Sequence, residues 1–292
     1  MKILVLGANG MIGHRVILEL RKYFGDQVYG LIRRSRSDFN TTEMLQTNIF
    51  EKIDIVNWND FSRLLSDLSP NIVINAIGVT IRRPEIQDLS YALEVNSFFP
   101  QRLAKWAQYN NSKLIHFSTD CIFSGESGNY TELSNPSASD VYGRTKFLGE
   151  VDGPNCLTLR FSCIGQELDT RSELLEWFLS QDNSSIKGFT NVLYSGVSSI
   201  VVSKEVCRII QEYKSLTGIY QISSFPISKY DLLNLAKKHF NKNIQIEPYD
   251  QYVSNKILLN NKYSQDTGFT PTSWEVMMAE LANDREIIYS RK

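Results

Sequence analysis

Three glycines, at positions 7, 10 and 13, constrain this chain more than any other feature. Ile3–Leu6 reads as a short buried strand, and the stretch from Met11 to Tyr23 sets Ile12, Val16, Ile17 and Leu20 on one helical face. Between them runs Gly7-Ala8-Asn9-Gly10-Met11-Ile12-Gly13. A strand, a glycine turn and a helix in that order allow a pyrophosphate to approach the backbone. The helix start then offers it free N–H groups and a positive dipole end. A loop that merely needs positive φ also takes glycine. The flanking strand and helix are what point to a dinucleotide.

The first half continues as alternating short apolar runs and helical segments. Strands are predicted at 27–32, 52–56, 72–76 and 113–118, with helices at 61–68 and about 90–109. Runs apolar on both faces imply a parallel sheet covered on both sides, so the fold class is α/β, a Rossmann-like doubly wound sheet. Beyond residue 160 the alternation weakens. Helices are predicted at 172–181, 201–213, 228–240 and 271–282, a returning strand at 218–223, and a turn-rich stretch at 188–196. The expected division is a dinucleotide domain of 1–165 plus 196–222 and a smaller, interleaved substrate lobe of 166–195 plus 223–292.

Composition narrows the partners. The 292 residues carry 31 Lys+Arg against 32 Asp+Glu, a net charge of −1. That leaves no basic surface for nucleic acid or an anionic membrane. Cys121, Cys156, Cys163 and Cys207 form no Cys-x-x-Cys pair, and only His14, His116 and His239 accompany them, so no metal site is expected. No run approaches the roughly 18 apolar residues of a membrane span. A cytoplasmic protein with reduced thiols is the expectation.

Two further clusters carry chemistry. After the second strand the chain reads Arg33-Arg34-Ser35-Arg36, where an NAD-binding protein usually has an acid for the ribose 2′-hydroxyl. Arginine suits a 2′-phosphate, so NADPH is expected, with NADH as the open alternative. The fifth strand ends in Ser118-Thr119-Asp120, and Tyr142 and Lys146 follow at i and i+4, on one helical face. An ammonium beside a phenol lowers the phenol's pKa and makes it a usable proton donor, while Thr119 can hold a carbonyl oxygen.

With these elements the chain resembles the extended short-chain dehydrogenase/reductases, and within them the dTDP-4-dehydrorhamnose reductase branch. Beyond the glycines, the resemblance runs through Asp54-Ile55, Asn75-Ala76-Ile77-Gly78, Asn96, Phe99-Pro100 and Ser118-Thr119-Asp120. It continues through Val141-Tyr142-Gly143-Arg144-Thr145-Lys146, Gly149-Glu150 and Leu159-Arg160. It implies Thr119, Tyr142 and Lys146 as catalytic residues. Cofactor contacts would come from Gly7, Asn9, Gly10, Met11, Ile12, Gly13, Arg33, Arg34, Asp54, Ile55, Ala76, Ile77, Gly78 and Asn96, with Tyr142 and Lys146 closing the site. Thr80, Thr119, Cys121, Arg160 and Trp177 would face a nucleoside-diphosphate sugar. The implied reaction reduces a keto group on a nucleotide-activated 6-deoxy sugar for bacterial surface polysaccharide. Relatives are often dimers, so a homodimer is expected.

The chain also departs from that branch. Ser254-Asn255-Lys256-Ile257-Leu258-Leu259-Asn260 stands where the branch carries an Arg-Pro stretch, and Val79-Thr80-Ile81-Arg82-Arg83 replaces an acidic pattern. The sugar is therefore left unassigned. Related 4,6-dehydratases follow the threonine with Asp-Glu, whereas Asp120 precedes Cys121 here. GDP-fucose synthase, an epimerase–reductase, has a cysteine in that place, but it also needs a partner histidine. A non-catalytic dinucleotide-binding subunit is the third alternative, and such proteins typically lose the Tyr or the Lys. Trp177 and Phe178 could stack on a base or fill the core.

Overall fold

The structure, a computed structural model, describes residues 1–38, 47–168, 170–181 and 185–289. In chain order its first half comprises β1 (Ile3–Leu6), α1 (Met11–Phe24), β2 (Val28–Leu31), β3 (Ile49–Phe50), α2 (Trp58–Leu68) and β4 (Ile72–Asn75). There follow α3 (Leu89–Leu93), α4 (Phe99–Tyr109), β5 (Lys113–Ser118), α5 (Val141–Leu148) and β6 (Cys156–Arg160). The second half adds β7 (Cys163–Ile164), α6 (Leu174–Leu179), β8 (Ser185–Phe189), β9 (Val192–Tyr194), β10 (Val197–Ser198), α7 (Ser199–Glu212) and β11 (Gly218–Gln221). It closes with β12 (Ile227–Ser228), α8 (Lys229–His239), β13 (Gln245–Tyr249), β14 (Ser254–Lys256), α9 (Asn261–Thr267) and α10 (Trp274–Asp284).

Seven strands form one sheet in the order β11-β6-β5-β4-β1-β2-β3, and every neighbour is parallel. The expected doubly wound α/β fold is what the chain adopts. Strand order reverses between β1 and β4, and the crevice outside the strand ends at such a reversal is where these sheets bind ligands. The glycine turn leaves β1 at that point.

Both faces of the sheet are covered. On one side α2 and α4 pack Phe61 against Phe99, with ring centroids 5.3 Å apart. On the other, α1 and α7 lie over Val5, Ile74 and Ile115, and that core runs on without a break into Leu232 of α8 and Met277 and Met278 of α10. Each fully buried aliphatic side chain contributes roughly 1.5–3 kcal/mol. One continuous core explains why the two halves of the sequence interleave.

Some elements differ from expectation. The third strand is two residues at Ile49–Phe50, pairing with Gly30 and Leu31, and not 52–56. Lys52 has φ +59° and breaks the extended run, and the Asp54 carboxylate accepts from the Val56 N–H at 3.0 Å. The segment at 90–109 is α3 and α4 joined by a π turn over Glu94–Phe98. Pro100 has no N–H to return to the residue 96 carbonyl, and the turn widens there. The stretch at 188–196 holds the end of β8 and all of β9 besides its turns.

His14 illustrates how burial sets a charge. Its Nδ1 donates to the Gly10 carbonyl at 2.8 Å, pinning the glycine turn, and burial lowers its pKa from 6.5 to about 4. The unfolded chain therefore takes up this proton first. Stability from the neutral ring is fully present above pH 6.5 and is lost as pH falls through 4, amounting to about 3 kcal/mol. Urea unfolding across that window should show the loss in the parent and a flatter curve in His14→Gln, which keeps a donor toward Gly10. Equal slopes would contradict it.

Among the described residues, no helix is long and apolar enough to cross a membrane. No group of three or more His, Cys, Asp or Glu among them could hold a metal.

Candidate active site

The glycine turn owes its shape to steric necessity. Gly7 has φ +75°. A Cβ on Gly13 would lie 2.0 Å from the Gly7 carbonyl oxygen, so only glycine lets α1 start directly against the turn. Gly10 is the N-cap of α1 and no acid occupies the first turn, which leaves the helix start positive.

In front of the turn lies a cleft of about 380 Å³. Gly7, Asn9, Gly10, Met11, Arg33, Arg34, Asp54, Ile55, Ala76, Ile77 and Gly78, all expected at the cofactor, line it together. Arg33 donates to the Tyr91 hydroxyl at 2.6 Å and faces Glu85 at 3.9 Å. Tyr91 and Glu85 were not anticipated, nor was Glu167, which accepts from the Glu173 N–H at 2.7 Å and the Ser172 hydroxyl at 3.0 Å. Tyr91 comes from α3, Glu85 from the helical turn before it and Glu167 from the loop after β7, with no local pattern to mark them.

Two other residues expected at the cofactor have their side chains turned to the protein itself. The partly buried Ile12 side chain packs against the core. Asn96, 1% exposed, spends its amide on the chain itself. Its Oδ1 accepts from the Val79 N–H at 2.8 Å, and its Nδ2 donates to the Val79 carbonyl at 3.0 Å and to Thr145 Oγ1 at 3.1 Å. It clamps the loop after β4 to α5, a positioning role.

The second cluster assembles between α5 and the loop after β5. Asp140 caps α5 by accepting from the Gly143 N–H at 2.9 Å. A Cβ on Gly143 would come 2.2 Å from the Cys121 carbonyl oxygen, so glycine there seats α5 against the Thr119 loop. The Tyr142 phenol thereby stands beside the Thr119 side chain, which favours its ionised form. Thr119 Oγ1 in turn accepts from the Cys121 N–H at 3.1 Å and donates to Asp120 at 3.2 Å. Lys146 Nζ donates to the Phe117 carbonyl at 2.7 Å and lies 3.8 Å from where a Gly78 Cβ would sit. Lys146 thus approaches the cleft at Gly78, and Tyr142 stands beside Thr119.

The electrostatics differ from expectation. Burial, together with Cys121, Asp120 and Glu173, pushes the Tyr142 phenol up from its ordinary value, opposite to the lowering that Lys146 was expected to cause. The Lys146 ammonium is turned to the Phe117 carbonyl, and burial lowers its own pKa to about 8. The phenol is held protonated, the state a proton donor needs. Burial beside Asp120 likewise raises the Cys121 thiol to about 12, so it is not a thiolate base. The three histidines are engaged elsewhere: His14 with Gly10, His116 with Asn75 and His239 with Glu275.

Beneath the trio run two networks that sequence reasoning missed. Asn75 Oδ1 accepts from the Ile77 N–H at 3.1 Å, while its Nδ2 donates to His116 Nδ1 at 3.1 Å. Burial and the Lys146 charge keep His116 neutral, and the pair props the loop that carries Gly78. Polar residues inside otherwise apolar strands were the available signal. The second network corrects Arg160, expected to border the substrate. It is 3% exposed, and its Nε and Nη2 donate to the two Glu150 carboxylate oxygens at 2.8 and 2.7 Å. Ser118 also donates to Glu150 at 2.6 Å. Breaking one partner of such a buried pair costs about 3–5 kcal/mol.

Of the other expected substrate contacts, Thr80 is half-buried beside Glu173, and Cys121 adjoins Thr119. Trp177 is half-buried and packs against the main core.

Comparison with known proteins places this geometry among relatives. The family described as RmlD substrate binding domain matches residues 1–181. A dTDP-4-dehydrorhamnose reductase from Aggregatibacter actinomycetemcomitans is 28% identical over 72% of this chain and 71% of its own length. The probable low-salt glycan biosynthesis reductase Agl14 from Haloferax volcanii is 29% identical over 60% of the chain. The beta subunit of methionine adenosyltransferase 2 from Rattus norvegicus is 28% identical over 51%. The chain spans only 59% and 41% of the lengths of these last two. Among solved structures, a dTDP-4-dehydrorhamnose reductase from Bacillus anthracis in complex with NADP shares the fold, with TM-score 0.80 and 20% identity over 97% of this chain and 100% of that one.

Proposed function

Because the chain belongs to the RmlD substrate binding domain family, we propose that it is an NADPH-dependent reductase of a nucleotide-activated 4-keto-6-deoxy sugar. Its place would be in bacterial surface-polysaccharide precursor synthesis. The observation that carries this reading is the cleft in front of the glycine turn, lined by Arg33, Arg34 and Gly78, with Lys146 beside Gly78 and Tyr142 beside Thr119.

The donor set fits the cofactor. A positive helix start behind a glycine turn suits a pyrophosphate, and Arg33 and Arg34 suit a 2′-phosphate. NADPH, when bound, supplies a hydride to the substrate carbonyl carbon. Thr119 orients the carbonyl oxygen, and Tyr142 gives it a proton. Lys146 holds the cofactor's ribose end beside Gly78 and restores charge balance near the phenolate. Residues 166–195 and 223–292 form the lobe that closes over the sugar.

Cofactor choice is open to direct test. Arg33→Ala with Arg34→Ala should weaken NADPH binding roughly 10–100-fold and leave NADH binding nearly unchanged, measured by fluorescence titration. Equal losses for both cofactors would contradict the assignment. The likeness to a methionine adenosyltransferase beta subunit supports a second reading, a dinucleotide-binding regulatory subunit. It predicts tight NADPH binding with no turnover of any sugar. The raised Cys121 thiol weighs against an epimerase.

A further inference from the structure

Two walls of the cofactor cleft come from different parts of the chain. The stretch after β4 contributes Val79, Arg83 and Glu85, and the stretch after β7 contributes Glu167 and Thr170. The first wall is fastened to the dinucleotide half, because Asn96 bonds both the N–H and the carbonyl of Val79. The second is fastened to the smaller lobe. Glu167 accepts from the Thr170 and Ser172 hydroxyls and from the Glu173 N–H, at the start of α6. Arg285, just beyond α10, holds α6 in turn by donating to the two Glu176 carboxylate oxygens at 2.5 and 3.3 Å.

Arg82 crosses from the first wall to the second. Its Nη1 donates to the Ser172 carbonyl at 2.9 Å, and its Nε lies 3.4 Å from Glu173 Oε2. The Glu173 side chain caps no N–H of its own helix, which leaves its carboxylate to this contact. The basic pair that departs from the acidic pattern at this loop thus divides its work. Arg83 lines the cleft, while Arg82, which is not among the described lining residues, reaches across to the other wall. The Arg82 side chain is 40% exposed and that of Glu173 24%. A pair so hydrated is weak, and it can part and re-form as a ligand passes.

We propose that Arg82 is a positioning residue that clasps the cofactor cleft, tying the wall after β4 to the start of α6, so that a dinucleotide enters and leaves when the contacts to Ser172 and Glu173 part. The clasp rests on the reading of the cleft as a dinucleotide site and adds to it a control over the rate of cofactor exchange. Its open and closed forms differ by contacts within the chain and not by contacts to the cofactor. It therefore slows passage in both directions and leaves the equilibrium nearly untouched. A residue that touched the cofactor would change release and leave entry alone.

Stopped-flow fluorescence tests this by following NADPH entry, and its release into excess NADP+, in the parent, Arg82→Met, Arg82→Lys and Glu173→Gln. The thermal unfolding midpoint reports that each variant is folded. Arg82→Met keeps the aliphatic stem and removes the charge. It should speed both entry and release about fivefold or more, with the NADPH Kd within about twofold of the parent. Arg82→Lys keeps the charge but loses the fork that reaches two partners, and Glu173→Gln keeps the Ser172 bond, so both should fall between parent and Arg82→Met. Rates equal to the parent's in the folded variants overturn the clasp. So does a weakened Kd with entry unchanged, which is the signature of a direct cofactor contact. Failure of the dinucleotide reading looks different: the parent itself would bind neither NADPH nor NADH, and the clasp would fall with it.

Discussion

Tyr142→Phe should lower the rate of keto-sugar reduction by about 10²–10⁴-fold while leaving the NADPH dissociation constant within about twofold of the parent. The reason lies in how the phenol is held. The phenol stands beside Thr119, and burial keeps it protonated, so removing the oxygen deletes the proton donor and little else. The ring itself packs against the cluster around Phe61 and Phe99, and Phe keeps that packing. Single-turnover absorbance measurements with saturating NADPH would isolate the chemical step. A variant that retained more than about a tenth of the parent rate would remove Tyr142 from the acid role.

Gly13→Ala should be the most damaging single change at the cofactor end. Its Cβ would meet three backbone atoms: the Gly7 oxygen at 2.0 Å, the Gly7 carbon at 2.8 Å and the Ala8 Cα at 3.3 Å. None of these can swing away as a side-chain tip could, so α1 must retreat from the turn that positions the pyrophosphate. Overpacking of this kind costs about 1–3 kcal/mol, and a displacement near 1 Å at a binding centre costs about a hundredfold. Gly10→Ala is the matched control, because a Cβ there meets only the Gly7 oxygen, at 3.3 Å. Calorimetric NADPH titration should show a large loss for Gly13→Ala and a small one for Gly10→Ala. Equal affinities in the two variants would contradict the steric account.

The contrast between these sites and the rest of the molecule shows what a sequence can disclose. The glycine turn was legible because sterics act locally: residues 7, 10 and 13 must be small whatever surrounds them. Tyr142 and Lys146 were legible because the helical repeat places them on one face. Arg160 misled because its partner, Glu150, comes from the turn after α5, and only the folded sheet aligns Ser118 with Arg160 above that carboxylate. Asn96 misled for the same reason, since its partners Val79 and Thr145 are far off in sequence. The edge strand β3 was misplaced because two residues carry too little pattern. The strands of the smaller lobe escaped because Ser185–Phe189 and Ser254–Lys256 mix polar residues and glycine without alternation. The elevated phenol pKa could not be read at all, because it comes from burial that only the folded chain creates.

The measurement that bears most directly on the central claim is NADPH consumption with a panel of 4-keto-6-deoxy hexoses carried on dTDP, UDP, GDP and CDP, using the parent and Tyr142→Phe. The account predicts that at least one donor is reduced with loss of NADPH absorbance and that the variant abolishes this turnover. NADPH binding without reduction of any donor would contradict the sugar-reductase claim and favour the regulatory subunit. Failure to bind either NADPH or NADH would contradict the dinucleotide site itself.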